Sequence, residues 1–191
     1  MNVPNILTIS RILLTLLFAA LTQMHGADAA WAALVVFGVA ALTDLVDGYV
    51  ARRFNLITTF GKIMDPVADK FLTLTALFIV AFEGTIGIWM VVLVALREIS
   101  VTVVRIFALT RGWVIPAESA GKVKAGFQMA TVALALGYRA LLAGGPAQGF
   151  VRNHQISLSC IVNGFMIVVI ILTLWSGFEF FNKLMLQADK K

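Results

Sequence analysis

The chain has 191 residues, of which 60% are hydrophobic and only 13% are charged, with a formal net charge of +5. Because soluble domains are about 45–50% apolar and about 25% charged, this composition excludes an ordinary soluble domain and predicts a polytopic membrane protein. In such a protein the positive charge indicates topology and contact with anionic lipids, so we expect no nucleic-acid partner. The single cysteine, Cys160, excludes an internal disulfide and a cysteine-based zinc site.

Six apolar segments are each long enough to cross a bilayer, which takes about 20 mostly apolar residues. In chain order they cover residues 5–23, 29–52, 66–83, 86–110, 119–143 and 155–181. The first lacks a basic leading region and a small-residue cleavage site, so we expect a retained helix rather than a signal peptide. The sequence therefore predicts one all-α membrane domain over residues 1–191, with six transmembrane helices.

The distribution of Lys and Arg predicts how these segments are oriented. The loops without Lys or Arg are 23–28 and 83–87, whereas the basic regions are 53–65, 110–124 and the C-terminus. Since Lys and Arg favour cytoplasmic loops and the number of segments is even, we expect both termini and both basic loops to face the cytoplasm. Arg139 and Arg152 would then lie on the outer side, as minor exceptions.

Four aspartates interrupt the apolar pattern at the cytoplasmic ends of two segments. Asp44 and Asp47 close the second segment, and Asp65 and Asp69 open the third. A carboxylate at the bilayer centre costs about 2.5–3.5 kcal/mol, so a cluster of them suggests a function. Spacings of three and four residues place each pair on one face of its helix. Two such helices form an oxygen-rich site that suits a hard divalent cation.

Two other readings of these acids remain open. The acids could be structural and neutralised by the neighbouring cations Arg52, Arg53, Lys62 and Lys70. They could also form the cation site of an ion-coupled transporter, although their position at segment ends, with access from one side, disfavours transport. Gly48 and Gly61 favour a ligand site, because residues without side chains allow a backbone or a ligand to approach closely.

A second polar set lies in the fourth segment and in the region that follows it. Its members are Arg97, Glu98, Arg105, Arg111, Lys122 and Lys124. Arginine forks bind phosphate oxygens bidentately, so this set predicts a pocket for a phosphate. Alternatively, Arg97 and Glu98 form a mutual or interhelical pair that locks helix packing, and the two lysines only mark the cytoplasmic side.

The N-terminal helix carries a polar stripe at Asn5, Thr8 and Arg11, which is either an accessory part of the site or an interfacial helix end. Together, an acidic metal site and facing basic groups at a membrane boundary suit phosphoryl transfer on a lipid. Metals would bridge phosphate oxygens, and a spare carboxylate would take a proton from an attacking hydroxyl.

At the acidic residues the sequence resembles the CDP-alcohol phosphotransferase family. The family signature is matched throughout by Asp44-x2-Asp47-Gly48-x2-Ala51-Arg52-x8-Gly61-x3-Asp65-x3-Asp69. The opening residues 1–11, Arg97-Glu98 followed by Arg105, and Lys122 with Lys124 look most like the members that use glycerol 3-phosphate. The resemblance implies an enzyme of the bacterial inner membrane, with its active site facing the cytoplasm and with a homodimeric assembly.

The resemblance also implies a reaction and a set of residue roles. The phosphatidyl group of CDP-diacylglycerol would pass to glycerol 3-phosphate, and CMP would leave. Two divalent ions, Mg²⁺ or Mn²⁺, would be held by Asp44, Asp47 and Asp65, with Asp69 as a further ligand and the general base. The CDP moiety would contact Asp44, Gly48, Ala51, Arg52 and Gly61. The acceptor's phosphate would contact Arg105, Arg111, Lys122 and Lys124. The same chemistry with inositol phosphate, serine or phosphatidylglycerol as acceptor remains open.

Overall fold

The computed structural model describes the backbone of residues 3–53, 59–110, 119–145 and 147–188, and the side chains of 9–43, 70–108, 121, 123–145 and 147–186. Within these ranges the chain is helical and contains no strand. The helices are α1 (Val3–Gln23), α2 (Ala27–Arg53), α3 (Thr59–Phe82), α4 (Ile88–Thr110), α5 (Ser119–Ala143), α6 (Gln148–Asn153) and α7 (Gln155–Ala188). The prediction of an all-α fold is confirmed.

The six long helices correspond to the six predicted segments, with differences at three places. Helix α3 begins at Thr59 rather than at residue 66, and α7 continues to Ala188 rather than ending at residue 181. The short helix α6 was not predicted. Hydropathy locates the apolar part of a helix, whereas the backbone continues to be helical through polar turns such as the one that carries Lys62 and Asp65.

The helices pack as a bundle around one large apolar core. Helix α1 contacts α2 and α3, α5 contacts α2 and α7, and α4 packs between α3 and α7. The largest core side chains come from five different helices: Phe18, Phe37, Leu77, Leu136 and Met166. Burying these side chains supplies the main packing contacts that hold the bundle together.

The outward faces of the same helices are apolar as well. Leu13, Trp89, Val103, Trp175 and Phe178 are all exposed. Exposed apolar side chains on most of the long helices indicate contact with a membrane. Among the described residues, Val123–Ala143 and Gln155–Leu186 are long and apolar enough to cross a bilayer, and Ile9–Gln23, Ala27–Thr43 and Lys70–Phe82 are shorter apolar helical stretches.

Arg139 links three helices at the end of the bundle opposite the aspartates. Its Nη1 lies 2.5 Å from Oε1 of Glu83, which directly follows α3, and its Nη2 donates a hydrogen bond of 2.6 Å to the carbonyl oxygen of Thr22 on α1. Burial raises the pKa of Glu83 above its ordinary value, and the charge of Arg139 offsets part of that shift. Arg139, treated above as an exception in the charge distribution, therefore has a structural role.

Candidate active site

The four aspartates lie on two helices at the same end of the bundle. Asp44 and Asp47 belong to the last ten residues of α2, and Asp65 and Asp69 belong to the first half of α3. The backbone is helical through both pairs, so the predicted helical spacings of three and four residues hold. Asp65 lies inside α3 rather than at its start, because α3 begins at Thr59.

The side chains of the acidic site lie outside the described residues. This applies to the proposed metal ligands Asp44, Asp47, Asp65 and Asp69, and to Gly48, Ala51, Arg52 and Gly61, which were predicted to bind CDP. The structure adds only that Gly48 and Ala51 lie within α2 and Gly61 within α3. Their roles in binding metal and CDP stay predictions.

The best-defined polar contacts near this end surround the carboxylate of Glu98. Glu98 lies on α4 and is only 2% exposed. Its Oε2 is 2.8 Å from Nζ of Lys70 on α3, and its Oε1 accepts a hydrogen bond from Nζ of Lys124 on α5. Nη1 of Arg97 lies 3.5 Å from the same Oε1. A buried carboxylate needs such partners, because removing a charge from water is costly unless it is paired.

These contacts favour the packing interpretation of Glu98, with partners that the sequence did not indicate. Lys70 and Lys124 are its close partners, whereas Arg97 is farther away. One carboxylate thereby joins α3, α4 and α5. Lys124 was also a candidate for binding the acceptor's phosphate, and its ammonium instead contacts Glu98. That candidate role stays a prediction, and the observed contact does not favour it.

The two arginines of α4 both contact α7. Nη2 of Arg97 donates a hydrogen bond of 2.8 Å to Oγ of Ser176, and the neighbouring Gly177 leaves the space that Arg97 occupies, since a Cβ there would lie 3.1 Å from its Nε. The guanidinium carbon of Arg105 lies 5.4 Å from the centre of the Phe180 ring. Ser176 and Phe180 were not predicted, because nothing in an apolar helix indicates which residues face a distant arginine.

The remaining predicted site residues are placed as follows. Arg11 is buried in α1, 3% exposed, rather than on the outer surface of the bundle. Asn5 and Thr8 lie on α1 and Lys122 lies on α5, but their side chains are outside the described set. Arg111 lies outside the described residues altogether. The accessory role of the N-terminal stripe therefore stays a prediction.

Comparison with known proteins identifies the family. A sequence model of the CDP-alcohol phosphatidyltransferase family matches residues 1–175. The chain belongs to this family. The match includes the four aspartates and every candidate residue for the acceptor's phosphate, and it ends just before Ser176. Membership of this family confirms the resemblance that the sequence motif indicated.

Several curated relatives are similar over most of this phosphatidyltransferase chain. A CDP-diacylglycerol–glycerol-3-phosphate 3-phosphatidyltransferase from Bacillus subtilis is 36% identical over 147 residues, which cover 71% of this chain and 76% of the relative. A probable phosphatidylglycerophosphate synthase from Mycobacterium tuberculosis is 39% identical and covers 76% and 68%. A CDP-diacylglycerol–glycerol-3-phosphate 3-phosphatidyltransferase from Pseudomonas fluorescens is 34% identical and covers 94% and 88%.

Proposed function

We propose that this phosphatidyltransferase is a phosphatidylglycerophosphate synthase. It transfers the phosphatidyl group from CDP-diacylglycerol to glycerol 3-phosphate and releases CMP, a step of phospholipid biosynthesis. The observation that carries the proposal is the complete family signature on α2 and α3, in a chain whose relatives bear the name of this activity. The basic residues of α4 and α5, at the same end of the bundle, support an acceptor that carries a phosphate.

The proposed chemistry divides the site into an acidic part and a basic part. A hydroxyl of glycerol 3-phosphate attacks the phosphorus that carries diacylglycerol, and the bond from that phosphorus to the CMP oxygen breaks. Asp69 accepts the proton of the attacking hydroxyl. Among the acceptor candidates, Arg105 and Arg111 bind the phosphate bidentately through their guanidinium groups, and Lys122 adds a single positive charge.

The acidic part suits two divalent ions, Mg²⁺ or Mn²⁺. Its donors are carboxylates alone, set one helical turn apart on two helices, and hard cations prefer oxygen ligands of this kind. When bound, the ions would neutralise the charge that develops on the phosphate oxygens. Asp44, Asp47, Asp65 and Asp69 would hold them.

We further propose that the six long helices all cross the bacterial inner membrane, with both termini and the acidic site facing the cytoplasm. The exposed apolar faces support the membrane location, and the basic residues around the aspartate end support the orientation. As part of the same proposal the protein forms a homodimer, which the family resemblance implies.

The experiment that tests the function is an acceptor panel. Purified protein in lipid nanodiscs receives CDP-diacylglycerol, Mg²⁺ or Mn²⁺, and one of glycerol 3-phosphate, serine, inositol phosphate or phosphatidylglycerol. CMP release and the mass of the lipid product are measured together. We expect phosphatidylglycerol phosphate with glycerol 3-phosphate and little product with the others. Product with serine or inositol phosphate, and none with glycerol 3-phosphate, would assign the chain to a different activity of the same family.

A further inference from the structure

The C-terminal half of α7 contacts the arginines of α4. Ser176 accepts a hydrogen bond from Arg97, and Phe180, four residues later, lies beneath Arg105. Both α7 residues fall beyond residue 175, where the match to the family ends. This stretch of α7 therefore contacts the basic part of the site, although it lies outside the residues that match the family.

Phe180 is held firmly in place. Its side chain is 1% exposed and packs in a small apolar cluster with Val101 and Ala108, against which Val104 and Leu184 also lie. The distance of 5.4 Å from the guanidinium carbon of Arg105 to the ring centre is within the range at which an aromatic face attracts a cation. A ring buried in this cluster therefore provides a platform for Arg105.

Arg105 differs from Lys70, Arg97, Lys124 and Lys183, each of which has a carboxylate partner. Lys70, Arg97 and Lys124 all surround Glu98, and Lys183 pairs with Glu179. Within the described part of the chain, Arg105 has no carboxylate partner, and its Nε is buried without a hydrogen-bond acceptor. A buried donor without an acceptor is unfavourable, so an oxygen atom supplied by a ligand would be bound well there.

The depth of Arg105 in the bundle is also consistent with contact to a ligand that is bound at the acidic site. Lys70 contacts Glu98, so these residues mark similar depths on the antiparallel helices α3 and α4. With a rise of about 1.5 Å per residue, Arg105 lies roughly 10 Å nearer the end of the bundle than Glu98. By the same rise, this depth corresponds on α3 to the turn that precedes Asp65.

We propose that Phe180 is a positioning residue for the acceptor. It orients the Arg105 guanidinium through its ring face, so that the N–H groups of the arginine bind the phosphate of glycerol 3-phosphate, and Phe180 itself touches no substrate. This inference rests on the proposed function, of which it specifies the acceptor half. It makes the C-terminal part of α7 a determinant of acceptor affinity.

The test compares steady-state kinetics of Phe180→Leu with those of the unmodified protein. Leucine keeps the apolar contact but removes the ring face. We expect the KM for glycerol 3-phosphate to rise roughly 3- to 30-fold, the range that a lost cation–π contact converts to, with the KM for CDP-diacylglycerol unchanged. Phe180→Tyr keeps the ring and should restore a near-normal KM. Phe178→Leu, on the same helix but 70% exposed, is the matched control and should change neither value.

Further variants separate this inference from the function on which it rests. Arg105→Gln should raise the KM for glycerol 3-phosphate, and the double variant with Phe180→Leu should raise it no further, because both remove the same interaction. An unchanged KM in Phe180→Leu, or equal increases in both KM values, would overturn the positioning role. Formation of phosphatidylglycerol phosphate by the unmodified protein tests the function separately. If Phe180→Leu folds poorly, as judged by its thermal transition, Phe180→Met replaces it with a side chain of similar size.

Discussion

Lys70 on α3 and Glu98 on α4 form an ion pair with a nitrogen–oxygen distance of 2.8 Å, and the carboxylate is almost fully buried. Lys70 directly follows Asp69 in the chain. The pair therefore ties α4 to the turn of α3 that carries the proposed general base. Lys124 on α5 donates to the other oxygen of the same carboxylate, so three helices meet at one charged group beside the proposed active site.

Glu98→Gln should destabilise the protein strongly. The substitution leaves the ammonium groups of Lys70 and Lys124 without their carboxylate, and breaking a buried ion pair typically costs about 3–5 kcal/mol. The thermal transition in detergent should fall accordingly. The control is Glu179→Gln, which removes a half-exposed pair with Lys183 one turn along α7 and should cost about 0.5 kcal/mol or less. Equal effects of the two substitutions would contradict a structural role for Glu98.

Asp69→Asn should abolish turnover while leaving the fold intact. An amide cannot accept the proton of the attacking hydroxyl, and loss of a general base lowers rates by about 10²–10⁴-fold. The measurement is CMP release from CDP-diacylglycerol, with the thermal transition recorded alongside. Asp28→Asn is the control, because Asp28 is an exposed acid in the first turn of α2 at the other end of the bundle. Near-normal turnover by Asp69→Asn would exclude Asp69 as the base.

Removing divalent ions should stop the reaction reversibly. Metals that stabilise charge on phosphate contribute several kcal/mol, so dialysis against EDTA should lower CMP release by at least about 100-fold. Added Mg²⁺ or Mn²⁺ should restore it. Asp44→Asn should raise the metal concentration needed for half-maximal activity. Full activity in EDTA would show that the aspartates serve another purpose.

The pH dependence of stability should contain a contribution from Glu83. Its pKa is raised in the folded protein above the ordinary value of 4.5, so the folded state binds the proton more tightly than the unfolded state does. This contribution is therefore fully present below pH 4.5 and is lost as the pH rises through the raised value. Thermal transitions between pH 4 and pH 7 should decline less steeply in Glu83→Gln than in the unmodified protein. Identical slopes would show that Glu83 does not contribute.

Much of the fold could be predicted from local patterns. The six apolar segments lie where the six long helices lie, and Asp44 and Asp47 were expected to share a helix, as were Asp65 and Asp69. The start of α3 was misplaced by seven residues, because the turns around Lys62 and Asp65 are helical but polar. The short helix α6 was missed because it is too short to show a periodic pattern.

The basic part of the site was predicted less well, for a physical reason. A mutual or an interhelical pair was expected for Arg97 and Glu98, and the sequence did not indicate that the close partners of Glu98 are Lys70 and Lys124 on other helices. The importance of Phe180 was invisible in the sequence, since one phenylalanine among many in an apolar helix carries no signal of its own. Which residues meet depends on the rotation and depth of each helix.

The sequence alone determined the membrane class, the six long helices, the spacing of the aspartates and the family, because hydropathy, periodicity and a fixed motif are local properties of the chain. Only the tertiary structure decided that Glu98 joins α3, α4 and α5, that Arg139 links the opposite end, and that Arg105 lies on the ring of Phe180. These contacts join residues up to 117 positions apart. Long-range pairs of this kind are selected by the packing of whole helices, which no local pattern encodes.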